Sequence, residues 1–242
     1  MPAPQKTYMM KVASIKVEAP DIKTYRLEYP KSEKITFFPG QFFMIGLEGE
    51  TLLKNFRSYS LSSSPTTGGF IEFTCNKVGY LTTKLDALKG GETLQAKGPY
   101  GVFTFRDIIK EDVVFIAGGT GIAPFRSMVH YILDRKLPNK MTVLYSVKTP
   151  DLIIYHNELD ELQKKLPNKF KYAVTITRPV PEQHWGGPTG RISMEFVEKN
   201  VSQPEKKMFF ICGAEAFVNS VIDILKSLNV PPSNIKTERW GE

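Results

Sequence analysis

Through the first hundred residues, apolar and polar positions alternate in short runs, the period-two pattern of β-strands. The runs cover 8–17, 22–28, 41–47, 57–61, 70–77 and 93–97. Pro39-Gly40, Ser64-Pro65, Gly68-Gly69 and Gly90-Gly91 punctuate them, and only the stretch 82–88 carries a helical period. In 70–77, Ile71, Phe73 and Cys75 share one face while Glu72, Thr74 and Asn76 share the other, so a half-buried strand is expected. Six short antiparallel strands predict a small closed β-barrel.

Beyond Gly101 the pattern changes to continuous apolar runs alternating with helical periodicity. Strands are expected at 113–117, 141–147, 170–177, 207–212 and 235–240, with helices at 124–135, 157–166, 193–200 and 215–228. In the last helix Phe217, Val218, Val221, Ile222, Leu225 and Leu228 recur every three or four residues, so one face is buried. Strands that alternate with helices predict an α/β domain, a five-stranded parallel sheet with helices on both faces. The expected division is two-domain: a β-barrel over 1–105 and the α/β domain over 106–242.

Composition narrows the picture by exclusion. At 41% hydrophobic and 24% charged residues the chain is ordinary for a globular protein. No stretch approaches the roughly 18 uninterrupted apolar residues of a membrane span. The first residues lack a charged head, apolar run and cleavage site, so a cytoplasmic location is expected. The net charge of +7 comes from lysines scattered along the chain rather than a basic run, which argues against nucleic-acid binding. Three histidines without ligand-like spacing point to no metal site. With Cys75 and Cys212 as its two cysteines, the chain cannot supply the four thiolates of an ordinary iron-sulfur cluster. Any such cluster belongs to a partner, and two isolated cysteines in a cytosolic chain are expected as free thiols.

Two local motifs carry chemistry. The apolar run 113–117 leads into Gly118-Gly119-Thr120-Gly121-Ile122-Ala123-Pro124 and then a helix. Three glycines let a backbone approach a phosphate, Pro124 suits the first helical turn, and a helix N-terminus presents N–H groups and partial positive charge. A plain tight strand-to-helix turn is the alternative. The second motif, Arg57-Ser58-Tyr59-Ser60, lies in a β region. Its arginine can grip a phosphate through two hydrogen bonds, and an aromatic two residues along shares its face and can cover a flat ring.

Pro39-Gly40-Gln41-Phe42, Arg57-Ser58-Tyr59-Ser60, 79–85, Gly98-Pro99-Tyr100-Gly101, 118–124, Cys212-Gly213 and Glu238-Arg239-Trp240 occur in one order along the chain. In that order and spacing they resemble the ferredoxin-NADP+ reductase-like flavoproteins, over nearly the whole sequence. The resemblance implies that Arg57 and Ser58 bind the flavin diphosphate, Tyr59 stacks on the isoalloxazine, and Ser60 hydrogen-bonds near the hydride-accepting nitrogen. It also implies flavin contacts from Thr74, Asn76, Gly79, Tyr80, Leu81 and Thr82, the last standing where the family has serine. Gly119, Thr120, Gly121 and Pro124 would hold the nicotinamide dinucleotide, and Cys212 with Gly213 would border the nicotinamide. Glu238 would support Ser60 and proton movement, and Trp240 would cover the open flavin face. Members that favour NADPH carry a Ser-Arg pair and a later Lys-x-Tyr. Thr177-Arg178 matches the first, but Pro188-Thr189-Gly190-Arg191 stands at the second, so the choice between NADH and NADPH is open.

By this resemblance the chain is an oxidoreductase with FAD, in preference to FMN, as cofactor and NAD(P)H as co-substrate. Hydride would pass to the flavin and electrons would leave singly to a separate ferredoxin-like carrier. The rival readings are an NAD(P)H:flavin reductase using diffusible flavin and a flavin subunit of a larger electron-transfer complex.

Overall fold

The computed structural model describes residues 6–240. By contact the chain falls into two compact units. The first runs to Arg106 and takes in Ala123–Lys136, and the second takes in Asp107–Ile122 and the chain from Leu137 onward.

The first unit holds strands β1 (Thr7–Ala19), β2 (Ile22–Glu28), β3 (Phe42–Leu47), β4 (Arg57–Ser60), β5 (Phe70–Asn76) and β6 (Thr93–Tyr100), with helices α1 (Tyr80–Asp86) and α2 (Ala123–Asp134). The strands pair antiparallel in the order β4-β3-β6-β1-β2-β5. A bridge between Leu61 and Phe73 brings the two ends of that order together, as in a barrel. The long β1 pairs β6 through Thr7–Lys11 and β2 from Lys11 onward, and bulges after Val12 and Val17 bend its second half. The barrel interior is apolar: Met10, Tyr25, Leu27, Phe43, Ile71 and Phe73 are all buried. Each such side chain contributes about 1.5–3 kcal/mol relative to exposure.

One expectation is corrected here. Strand β5 is covered on both faces, since Glu72 and Thr74 are 7% and 5% exposed. The alternation reports the chemistry of each face, one apolar and one polar, rather than contact with water. The polar face is satisfied internally, as burial of charge and hydroxyl requires. Glu72 accepts from Arg26 Nε at 2.9 Å and from Arg126 Nη1 of α2 at 2.8 Å. The hydroxyls of Thr24 and Thr74 meet at 2.6 Å. Ser127, also on α2, donates to the carbonyl of Ser63 at 2.6 Å. These bonds explain why α2 packs with the barrel unit.

The second unit holds β7 (Val113–Gly118), β8 (Met141–Val147), β9 (Phe170–Ile176), β10 (Met208–Ala214) and β11 (Ile235–Trp240), with helices α3 (His156–Lys165), α4 (Met194–Asn200) and α5 (Glu215–Ser227). All five strands are parallel, in the order β11-β10-β7-β8-β9. Val114, Ile116, Leu144, Phe209 and Ile211 pack on Phe196 and Val197 of α4 and on Val218, Val221 and Leu225 of α5. The ring of Tyr172 in β9 meets that of His156 in α3. Ser193 caps α4 by accepting from the N–H of Phe196 at 3.1 Å.

The chain winds outward from β7 through β8 to β9, then returns to place β10 on the other side of β7. The point between β7 and β10 where the order reverses is where open parallel sheets form a ligand crevice at their carboxyl ends. Both cysteines are free thiols and buried. Among the described residues no helix is long and apolar enough to cross a membrane.

Candidate functional site

In the barrel unit, antiparallel pairing sets Arg57, Ser58, Tyr59 and Ser60 opposite Ile45, Met44, Phe43 and Phe42. Arg57 is exposed, and its Nη1 donates to the carbonyls of Lys54 at 2.7 Å and Phe56 at 2.9 Å. Those two bonds pin the side chain at the strand edge. Its Nε and Nη2 hydrogens make no bond among the described residues, so the edge able to meet two oxygens of one phosphate is unspent. Half-buried Tyr59 stacks on Phe73, with ring centroids 4.8 Å apart at 27°. Burial pushes its phenol well above the usual value, so the ring is neutral. Ser58 is exposed and Ser60 half-buried.

The nearby turn uses its own hydroxyl. Thr82 Oγ1 accepts from the N–H groups of Val78 and Gly79, each at 2.9 Å, and donates to the carbonyl of Gly79 at 3.0 Å. The Thr82 side chain therefore holds the start of α1. Gly79 is extended, with open space over its Cα, Tyr80 is exposed and Leu81 is buried. Thr74 is likewise committed to Thr24, while Asn76 is exposed at the end of β5.

In the α/β unit, Gly118 closes β7 and Gly119–Ile122 form a single 3-10 turn before Ala123 and Pro124 begin α2. The glycines here have different reasons. Gly119 has φ +55 and open space around it, so it is the one that exposes backbone. A Cβ on Gly121 would lie 2.3 Å from the carbonyl oxygen of Cys212 and 2.5 Å from the ring of Trp240, so that glycine serves close packing. A Cβ on Gly118 or Gly213 would meet the ring of Phe217 at 3.1 Å or 2.5 Å. The reading of three glycines opened for a phosphate is thus corrected to one, because neighbours fill the space at the others. Thr120 is half-buried, and its hydroxyl makes no hydrogen bond among the described residues.

Parallel register sets Cys212 beside Glu238 and Ala214 beside Trp240. Cys212 is fully buried and its Sγ donates to Glu238 Oε2 at 3.7 Å. Burial first, and then the Glu238 carboxylate, hold the thiol well above its ordinary pKa, so Cys212 is neutral. Trp240 is about one-third exposed, at 37%, with its ring tip over Gly121. At the end of β9, the N–H of Thr177 bonds the carbonyl of Val147, and that of Arg178 bonds the carbonyl of Lys148. The backbones of Lys148 and Arg178 are thus neighbours at the ends of β8 and β9, and their charged groups make no bond among the described residues. Lys148 was not evident from motif reading, although it follows β8 as Arg178 follows β9.

The residues fit the two groups that the motifs imply. The barrel offers a bidentate guanidinium edge and a neutral ring, suited to a flavin's phosphates and flat tricycle. The α/β unit offers an open glycine, a spare hydroxyl and two cations, suited to a dinucleotide. This two-unit arrangement is that of an oxidoreductase with one FAD-binding and one NAD-binding domain. Residues 9–105 match the family model for the oxidoreductase FAD-binding domain, and residues 115–223 that for the oxidoreductase NAD-binding domain. The chain belongs to the oxidoreductases built from these FAD-binding and NAD-binding domains.

Among its relatives are one component of the Na(+)-translocating NADH-quinone reductase of Haemophilus ducreyi, 29% identical over 91% of this chain, and the reductase component of the glycine betaine monooxygenase of Pseudomonas aeruginosa, 28% identical over 97%. The chain spans 64% of the length of each of these curated relatives. Its fold is also that of a ferredoxin NADP+ reductase from Neisseria gonorrhoeae solved with bound FAD and NADP. That likeness has a TM-score of 0.79 at 22% identity and covers 97% of this chain and 98% of the other.

Proposed function

We propose that this chain is a cytoplasmic NAD(P)H-dependent reductase that passes electrons to a separate, ferredoxin-like carrier. Residues 1–105 would serve FAD and 106–242 the dinucleotide, a functional division that differs from the packing division at α2. The observation that carries this reading is that Arg57 keeps its Nε–Nη2 edge and Thr120 its hydroxyl without a hydrogen bond among the described residues, each inside one of the two cofactor motifs. Free thiols fit a reducing compartment, and two cysteines are too few to hold an ordinary iron-sulfur cluster within these residues.

When bound, FAD would supply the step from two-electron hydride chemistry to one-electron delivery. The unspent edge of Arg57 would bind the diphosphate, helped by Ser58, Asn76 and the backbone of Gly79, Tyr80 and Leu81. Thr74 and Thr82 would act by placing β5 and the turn. Tyr59 would cover the ring system and Ser60 would hydrogen-bond its hydride-accepting edge. Gly119 and Thr120 would hold the dinucleotide's phosphates, with Gly121 packing the turn against β10, Pro124 starting α2, and Thr177 and Arg178 toward the adenosine end. Neutral Cys212, beside Gly213, would border the nicotinamide without attacking it. Glu238 would serve as a proton acceptor there, and Trp240 would exclude water until dinucleotide displaces it.

Anaerobic mixing of the yellow protein with NADH and with NADPH tests this, followed by addition of a ferredoxin. Reduction of the flavin band and then of the ferredoxin is expected. Arg57→Ala should lose flavin, whereas Cys212→Ala should keep it and slow reduction. Colourless protein that reduces added free flavin, or equal flavin loss in both variants, would contradict the proposal.

A further inference from the structure

A cavity of about 360 Å³ opens at the amino-terminal end of the α/β sheet. Asp112, Lys140, Lys169 and Lys207 directly precede β7, β8, β9 and β10. Main-chain bonds set them at one level: the N–H of Val113 meets the carbonyl of Lys140, that of Met141 the carbonyl of Lys169, and that of Met208 the carbonyl of Asp112. Side chains alternate along a strand, so these four share a face with Val114, Thr142, Lys171 and Phe209. That is the face on which α4 packs. Helix α4 has seven residues, and the cavity lies between its last turn and the strand entries.

The lining is basic, with Lys140, Lys169, Lys171, Lys199 and Lys207 against Asp112 and Glu198. The fold consumes part of that charge. Asp112 accepts from Lys207 Nζ at 2.9 Å and from the N–H of Lys140 at 3.0 Å. Lys169 Nζ donates to the carbonyl of Leu137 at 2.5 Å, and Lys171 Nζ to that of Asn200 at 3.0 Å. The ammonium groups of Lys140 and Lys199 make no bond among the described residues. Burial, and then the charge of Lys199, hold the Lys171 ammonium below its ordinary value, so an anion placed there would relieve the crowding. We propose that this cavity is a site for a compact polyphosphate, held by Lys140 and Lys199 with Lys207 beside them. The lining has no arginine, whose planar fork suits carboxylates, whereas lysine point charges suit phosphate oxygens approached from several sides. Its aromatic ring, that of Phe170, is buried, so a nucleobase finds nothing to stack on and phosphate carries the binding. Strand β7 is six residues long, so the cavity and Gly119 lie about 20 Å apart, at roughly 3.3 Å per residue. The site is therefore separate from the dinucleotide crevice.

Calorimetric titration of the full chain with inorganic tripolyphosphate, ATP and AMP at low salt tests the site. Tripolyphosphate should bind, and AMP should bind at least about tenfold more weakly. Equal binding of ATP would extend the site to the phosphate tail of a nucleotide, and rejection of ATP would restrict it to the free ion. Lys140→Ala and Lys199→Ala should each weaken tripolyphosphate about tenfold, the scale of one charge-assisted contact. Lys31→Ala removes the same charge from an exposed turn of the barrel unit and should bind within about twofold of wild type. Tripolyphosphate that ignores both cavity variants, loses as much with Lys31→Ala, or is displaced by saturating NADP+ would overturn the site. So would AMP that binds as tightly as tripolyphosphate, or wild-type protein that binds none of the three.

Discussion

The unlike surroundings of Gly119 and Gly121 allow one pair of substitutions to separate packing from ligand access. Alanine at Gly121 would put a methyl 2.3 Å from the carbonyl oxygen and 2.8 Å from the carbonyl carbon of Cys212. Ordinary contact begins near 3.4 Å, so about 1 Å of backbone movement is required between the turn and β10. Because the obstacle is largely main chain, the cost should reach the upper part of the overpacking range, about 3 kcal/mol. At about 2–4 °C per kcal/mol, the midpoint for thermal unfolding should fall by about 6–12 °C. Alanine at Gly119 meets nothing within 4 Å and carries only the strain of its left-handed φ of +55, about 1 kcal/mol or about 2–4 °C. Its methyl would instead stand where a phosphate must approach, so it should weaken NADP+ and NAD+ binding by about tenfold while sparing the fold. Thermal melts followed by circular dichroism, with calorimetric titration of each dinucleotide, measure both quantities. Equal losses of stability in the two variants, or Gly121→Ala melting within about 1 °C of wild type, would refute the reasoning.

Three further outcomes follow from named groups. Burial pushes the Cys75 thiol up to about 12, and burial with Glu238 raises that of Cys212, so neither should react with a disulfide reagent at pH 8 until denaturant is added; rapid labelling of the native protein would contradict this. Arg178→Ala should cost about 1.5–3 kcal/mol in NADPH use and leave NADH nearly unchanged, with Lys148→Ala a weaker echo, whereas equal effects on both dinucleotides would make these cations structural. Hydrogen bonds from Lys23 and then Lys77 lower the Asp86 pKa from 3.8 to about 2. A carboxylate held below its unfolded value contributes stability above about pH 4 and loses it as pH falls toward about 2, so Asp86→Asn should flatten that acid limb in melts at low salt, and an unchanged slope would rule the contribution out.

Local period and punctuation were enough to place the elements. The strands Ile22–Glu28, Met141–Val147 and Ile235–Trp240 have the bounds that alternation and apolar runs predict, and the expected helix at 215–228 is Glu215–Ser227. These signals are short-range, so one sequence carries them. The second covered face of β5 was not legible, because what covers it is remote in sequence. Arg126 reaches Glu72 across 54 residues and Ser127 reaches Ser63 across 64. Nothing in the amphipathic pattern of α2 states that its polar residues bind a strand of the first unit.

The candidate site divides in the same way. Which residue types gather in a motif is local, but whether a group is left over for a ligand depends on what the fold has already consumed. Thr82 and Thr120 both carry a hydroxyl in a turn at the start of a helix, yet the first makes three bonds within its own turn and the second makes none among the described residues. Gly118, Gly119 and Gly121 are interchangeable letters in the sequence. Phe217 closes over one, Cys212 and Trp240 over another, and only Gly119 is left open. Arg57 is partly spent in a useful way, because the two carbonyls that take Nη1 orient the Nε–Nη2 edge that stays free. A motif therefore nominates the chemistry, and the remaining hydrogen-bonding capacity selects the residues that can perform it. By that criterion Arg57, Thr120, Arg178 and Lys148 keep capacity for a ligand at the candidate site, and substitutions there should alter binding with little effect on unfolding.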